Sequence, residues 1–306
     1  MLTRATIMIA TFLMAIPFVP VNATTLATIA LTPSSITSDF GTTFTASIVL
    51  SGASNVLAYD VRILLNPDVF TINSASLSGT LLDPATHSNV QVLRQQVFPT
   101  VGIARFALVT VGPSCGATPN PSANLLNLQI TVNDPTDPTS IADASEYPAS
   151  ISVTSEIAGT DSSCLAVNTI PSHASGATFD PTTAGISDLA LNNVGCRAVN
   201  DGFNTQAKGL TDPVFCRISN VGARSINVVS SFSFRSIGGV TGSVSSDIAN
   251  LAAGQASQQN SAITVPNAND IFIVTGQPLR VILFNDGSAL FIPGPSSTFK
   301  IVVNVP

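Results

Sequence analysis

The sequence predicts an all-β protein built from two antiparallel β-sandwiches. Three observations carry that expectation. Apolar residues alternate with period two over short runs, clusters of Gly, Pro, Asn and Asp separate those runs, and no stretch shows three turns of helical amphipathicity or a βαβ alternation. The composition of the 306 residues fits such a protein: 45% are hydrophobic and only 9% charged, so Ser, Thr, Asn and Gln must make up most of the surface. Eleven Lys and Arg against 17 Asp and Glu give a formal charge of −6. That argues against nucleic acid as a partner, because phosphate binding needs clustered cations.

Residues 1–23 read as a signal peptide. Arg4 supplies the basic start, Ile7–Val19 the apolar run, and Val21-Asn22-Ala23 the small-residue pattern cleaved after Ala23. Pro17 and Pro20 interrupt the run, which is shorter than the roughly 20 apolar residues a membrane span requires. A later candidate, Ile271–Phe284, is broken by Gly276-Gln277-Pro278 and carries Arg280. The chain is therefore expected to be secreted, at the extracellular cell surface, with no membrane span. The only Asn-x-Ser/Thr acceptor, Asn22-Ala23-Thr24, sits at the cleavage site, so the mature chain should carry no N-glycan.

The strands follow in order. Phe44, Ala46, Ile48 and Leu50 alternate with Thr43, Thr45, Ser47 and Val49, and Leu57, Tyr59, Val61, Ile63 and Leu65 with Ala58, Asp60, Arg62 and Leu64. The pattern returns in Ile103–Val111, in Leu126, Leu128, Ile130 and Val132, and in Ile151 and Val153. Asp161–Ile186, rich in Ser, Pro, Gly and Thr, reads as terminal loop and linker. It divides the chain into 24–180 and 185–306, each of a size suited to one sandwich. In the second part Val214, Cys216 and Ile218 alternate, followed by Ile226 and Val228, Phe232 and Phe234, Phe272 and Val274, Val281 and Leu283, and Ile301, Val303 and Val305. In an oxidising compartment the four cysteines are expected to pair. The division places Cys115 with Cys164 and Cys196 with Cys216, one bridge in each part. No CxxC pair exists, and His87 and His173 lack ligand spacing to any cysteine, so a metal cluster is not indicated.

Two resemblances follow from particular motifs. Leu31-Thr32-Pro33-Ser34-Ser35, Gly41-Thr42-Thr43-Phe44-Thr45, Val56–Ile63 and Asn66-Pro67-Asp68-Val69-Phe70 occur in the order seen in cohesin-like domains. The resemblance implies a nine-strand jelly roll over roughly residues 25–157. Cohesins of cellulosomes bind dockerins, whereas many cohesin-like domains belong to prokaryotic surface proteins without a cellulosome. In the second part, Ser187-Asp188-Leu189-Ala190-Leu191, Cys216-Arg217-Ile218-Ser219-Asn220-Val221-Gly222 and Leu251-Ala252-Ala253-Gly254-Gln255 resemble the immunoglobulin-like CARDB family of bacterial cell-adhesion-related domains, over roughly residues 185–306. Near its end the chain departs from that family, with Ala289-Leu290-Phe291-Ile292-Pro293 where an acidic residue and an Asn pair usually stand.

Residues that usually perform chemistry are scarce: no Trp, two Tyr and two His. Nucleophilic catalysis needs an oriented base. Only His87, after Asp83-Pro84, and His173, in a linker-like stretch, are available. Glycosidase chemistry wants two carboxylates across a cleft, and Glu146 and Glu156 are the only glutamates. The chain is accordingly read as non-enzymatic, and the lack of Trp also weighs against an aromatic-platform carbohydrate module. Asn133–Asp143 carries Asp134, Asp137 and Asp143, three carboxylates in a strand-end loop of the kind hard calcium takes. The spacing lacks the Gly and Glu of an EF-hand loop, and Asp-Pro repeats are also ordinary turn chemistry. The terminal stretches Thr24–Leu31 and Lys300–Pro306 either complete their own sheets or add an edge strand to a neighbour. The expected function is structural or adhesive: a subunit of a surface layer, filament or matrix, with protein partners, self-association through edge strands, or a surface glycan. The alternative is a protein- or carbohydrate-binding scaffold that does not self-assemble.

Overall fold

The computed structural model describes residues 26–112, 115–183, 188–199, 209–265 and 269–303. The expected cleavage site and the last alternating residue, Val305, lie outside them. The first part contributes β1 (Ala27–Thr32), β2 (Ser35–Ile36), β3 (Thr43–Ser51), β4 (Val56–Leu65), β5 (Phe70–Ser76) and β6 (Val90–Phe98). It continues with β7 (Ile103–Thr110), β8 (Ser122–Val132), β9 (Ala149–Thr160), β10 (Val167–Thr169), β11 (Ser172–Ser175) and β12 (Ala177–Phe179). One sheet runs β11-β1-β3-β8-β5; the facing sheet runs β2-β12-β9-β4-β7-β6, with β10 also on β9. The second part contributes β13 (Leu189–Ala198), β14 (Thr211–Asn220), β15 (Ile226–Ser236), β16 (Thr241–Ser245), β17 (Ala249–Leu251), β18 (Ala256–Thr264), β19 (Asp270–Leu283), β20 (Ala289–Pro293) and β21 (Ser297–Val303). Its sheets are β13-β14-β18 and β16-β15-β19-β20, with β17 on β15 and β21 on β19.

The alternation places the core as period two requires. Ala27, Ile29 and Leu31 of β1, Ala46, Ile48 and Leu50 of β3, and Leu126, Leu128, Ile130 and Val132 of β8 are buried against Tyr59, Val61, Ile63 and Leu65 of β4. Two bulges adjust the pattern. On β4 the register shifts between Val56 and Ala58, so Val56 is buried and Leu57 only half-buried. On β8 it shifts between Leu126 and Asn124, so the intervening Leu125 is buried beside Leu126. A bulged residue loses its ladder partner, and here Tyr59 reaches across from the opposite sheet to donate its hydroxyl to the Leu125 carbonyl at 2.7 Å.

Three expectations are corrected. First, the all-β sandwich fold holds and its pairing is antiparallel except at two places, where β1 pairs with β11 and β2 with β12 in parallel. Second, Asp161–Ile186 is not a linker over its described length, because β10, β11 and β12 complete the first sandwich and bury Ala177 and Phe179. Local composition concealed this, since short edge strands need few large apolar residues. Third, the Val281 and Leu283 alternation breaks. Val281 is buried, but so are Ile282 and Phe284, while Leu283 is exposed. Ile282, Phe284 and Ile292 belong to the core of the first sandwich, with Phe284 packed on Tyr147 at a ring separation of 5.9 Å.

The two sandwiches thus share a seam. Arg280, itself buried, donates to Asp39 at 3.1 and 3.2 Å, lies 3.2 Å from Asp188 and sits over the Phe40 ring. The Asn285 side-chain amide donates to the carbonyls of Asp137 and Ser140, and the Ala144 N–H donates to Ser288 Oγ. As for the termini, β1 has β3 on one side and β11 on the other, so from Ala27 onward it completes its own sheet. β21 lies on β19 at the rim of its sheet.

Candidate functional site

The feature with the most unspent chemistry is the outer face of β9-β4-β7-β6. The registers lay it out as rows. Ala158, Ala58, Val109 and Gln91 stand side by side, then Glu156, Asp60, Ala107 and Arg94, then Thr154, Arg62, Arg105 and Gln96, then Ser152, Leu64, Ile103 and Phe98. Arg62, Arg94 and Arg105 are all the Lys and Arg between residues 26 and 183, and one face holds them. Like charges are direct neighbours, Asp60 beside Glu156 and Arg62 beside Arg105, an arrangement that is unfavourable unless offset.

Arg105 offsets part of it by reaching diagonally to Asp60. Its Nε donates to Oδ1 at 2.9 Å and to Oδ2 at 3.1 Å, and a terminal nitrogen makes a further short bond to Oδ2. That carboxylate holds the Arg105 guanidinium above its ordinary pKa. Among the described residues Arg62 and Glu156 have no ion pair, and both are exposed. Beside the charges lies a shallow depression of about 550 Å³ lined by Ala58, Leu93, Ala107 and Ala158. Leu93 is the bulged residue of β6 and is 66% exposed; Leu64 and Phe98 bound the charged rows at 51% and 46%. Sequence reasoning did not single out Asp60, Arg62, Arg94 or Arg105. The signal available was the polar phase of two strands, and what it lacked was the register joining them.

The residues that sequence reasoning did single out fall elsewhere. Asp134, Asp137 and Asp143 do not converge on a common point, and among the described residues no group of three His, Cys, Asp or Glu side chains could hold a metal ion. Each is engaged by its own turn: Asp134 Oδ1 accepts from Thr136 N–H and hydroxyl, Asp137 Oδ1 from those of Thr139, and Asp143 Oδ1 from those of Ser145. Asp134 also pairs with Arg224 at 2.8 Å across the seam. Glu146 completes a capping box on the single turn Ala144–Glu146 and accepts from Asn66. His87 shares its Nδ1 with the Thr86 hydroxyl and the Asp83 carbonyl. His173 stands on β11 beside Thr28, in a strand and not a linker. Glu156 alone lies on the charged face.

Disulfides join Cys115 to Cys164 and Cys196 to Cys216. The first ties the β7–β8 connection to the β9–β10 turn, and the second joins direct register partners on β13 and β14.

Fold and face together define a class: an all-β, two-sandwich protein with a charged sheet surface. No protein-family model matches the chain, and no curated protein does. Solved structures that resemble it are cohesin domains. The cohesin of a type I cohesin–dockerin complex from Clostridium thermocellum matches with a TM-score of 0.39 at 8% identity, covering 50% of this chain and 92% of that one. A non-cellulosomal cohesin from the archaeon Archaeoglobus fulgidus gives 0.36 at 14%, covering 50% and 89%. A Clostridium acetobutylicum cohesin, solved in solution, gives 0.35 at 15%, covering 51% and 90%. No helix among the described residues is long and apolar enough to cross a membrane.

Proposed function

We propose that this chain is a non-enzymatic extracellular scaffold that holds a protein partner on the outer face of β9-β4-β7-β6. In this reading residues 1–23 are removed on export, 24–180 form a cohesin-like module, and 185–306 form an immunoglobulin-like module. The observation that supports it is the charge lattice. Arg62 stands without an ion pair beside Arg105, and Glu156 beside Asp60 has only the through-space attraction of Arg105, on stiff strands bordered by exposed Leu64, Leu93 and Phe98. A partner presenting the opposite charges in register would relieve both repulsions while covering the apolar rim.

The test is capture from the surface fraction of the source cells with wild-type chain and with an Arg62→Glu, Leu64→Asp variant of unchanged melting temperature. A protein retained by the wild type and lost with the variant supports the reading. Equal retention removes this face from it.

A second reading, assembly into a surface layer, filament or matrix, draws on β6. This edge strand runs nine residues without Lys or Pro and exposes Val92, Leu93 and Phe98. Size-exclusion chromatography and negative-stain microscopy of the mature chain distinguish the two, since only the second predicts concentration-dependent sheets or fibrils.

A further inference from the structure

The second sandwich carries a cationic surface that the reading above does not use. The outward positions of β14 are Thr211, Pro213, Phe215, Arg217 and Ser219, and Arg197 of β13 is the direct register partner of Phe215. Both guanidinium groups rest on that one ring, with Cζ 5.4 Å from its centroid for Arg197 and 5.9 Å for Arg217. On the other side β18 presents Gln258 next to Arg217 and Asn260 next to Phe215. Gln258 Oε1 accepts from Arg217 Nε at 3.2 Å, and its Nε2 donates to Asn260 Oδ1 at 2.8 Å. This relay fixes the guanidinium plane and leaves the terminal nitrogens of Arg217 and the Asn260 amide donors facing outward.

The charge balance makes the surface unusual for this molecule. The chain is acidic, with a formal charge of −6, and Arg105, Arg224 and Arg280 are each paired with carboxylates. Arg197 and Arg217 have no ion pair among the described residues. The single acid within β13, β14 or β18 is Asp212, which is fully buried and points inward. Covering Phe215, which is 6% exposed, needs one arginine stem. A second brings like charge against like charge, and among the described residues no carboxylate is paired with either.

We propose that Arg197 and Arg217 form a binding site for an anionic polysaccharide. Two guanidinium forks on a common aromatic floor suit planar, bidentate recognition of a carboxylate or sulfate. The aligned amides of Gln258 and Asn260 suit the hydroxyls between successive anionic groups, and exposed Pro213 and Val199 supply apolar contact for a sugar ring. The surface lies on the other sandwich from the protein-docking face, so neither proposal depends on the other.

The experiment is affinity electrophoresis of the full chain through gels containing polygalacturonate, dextran sulfate, neutral dextran or poly-glutamate. Retardation by polygalacturonate or dextran sulfate but not by dextran is expected, and the stronger of the two identifies carboxylate or sulfate as the anion. Arg197→Gln with Arg217→Gln should weaken it at least tenfold. Arg197→Lys with Arg217→Lys, which keeps both charges and the cover over Phe215, should weaken it severalfold. Arg62→Gln with Arg94→Gln should leave it unchanged. Absence of retardation by either glycan, equal retardation of the double Gln variant, or tighter binding of poly-glutamate than of both glycans overturns the proposal.

Discussion

Single residues do their clearest work where the strand pattern fails. The Leu125 bulge leaves a buried carbonyl without a ladder partner, and the Tyr59 hydroxyl fills that role from the facing sheet. Burial pushes the Tyr59 phenol well above its ordinary pKa, so it remains a donor throughout the physiological range. Tyr59→Phe is expected to cost about 1–3 kcal/mol, the penalty of an orphaned buried acceptor, measured by urea unfolding. A cost near zero would mean that the bulge finds another donor. Legibility at this scale was uneven. Tyr59 was readable as an inward residue, but its partner was not, because a bulge is a property of two strands and Leu125-Leu126 reads as ordinary apolar sequence. The aspartates show the converse. Asp134, Asp137, Asp143, Asp161, Asp180 and Asp286 each precede Ser or Thr by two positions, and in each the carboxylate accepts from that hydroxyl. The repeated Asp-x-Ser/Thr spacing therefore signals turns closed by their own side chains. That signal was present in the calcium-like loop from the start.

At the scale of elements, the first sandwich depends on its last strands. β12 contributes Phe179, which is fully buried and meets Phe40 at 5.6 Å, Tyr147 at 5.9 Å and Phe70 at 6.0 Å, each edge to ring. Phe179→Ala is expected to destabilise the chain by about 3–5 kcal/mol in chemical denaturation; a linker residue would change nothing. Long strands whose alternation extends over many residues and buries one face, such as β3, β4 and β8, were legible, whereas β6, β13 and β18, comparably long but exposed or polar over much of their length, were not. Two- to four-residue strands were not, since three positions carry no measurable period. The β9-β4-β7-β6 face sits between these cases. The polar phases of β4, β7 and β9 were visible while β6 was not read as a strand, and only the register turns three scattered arginines into one surface.

The whole molecule behaves as a pair of sandwiches with a common boundary layer. Arg280 balances Asp39 and Asp188 there while Ile282, Phe284 and Ile292 enter the neighbouring core. Arg280→Gln strands two partly buried carboxylates and is expected to cost about 3 kcal/mol, splitting one calorimetric transition into two. A single unshifted transition would show that the apolar contacts alone hold the seam. Acid should act in two directions. Hydrogen bonds from Thr139, Ser163, Thr182 and Ser288 hold Asp137, Asp161, Asp180 and Asp286 below the ordinary carboxylate range. A lowered folded pKa contributes stability that is present above the unfolded value and lost as pH falls through the folded one. Asp188 opposes them, because burial raises it despite Arg280, and its protonation favours the folded state as pH falls. Asp83 and Asp270 are held down in the same way, so with six depressed carboxylates against one raised the melting temperature should decline below about pH 4, and Asp188→Asn should leave that decline in place.

The parallel return of the chain has a consequence in time. Ala27 pairs with Ser172, and Ser35 with Thr178. A polypeptide delivered from its N-terminus therefore presents β1 with one side open until nearly the whole first module has followed. Closing such distant contacts is slow, and unpaired strand edges invite association in the interval. Synthesis or export that stalls before Phe179 emerges would release an incomplete sheet whose open side matches the strand it is still missing.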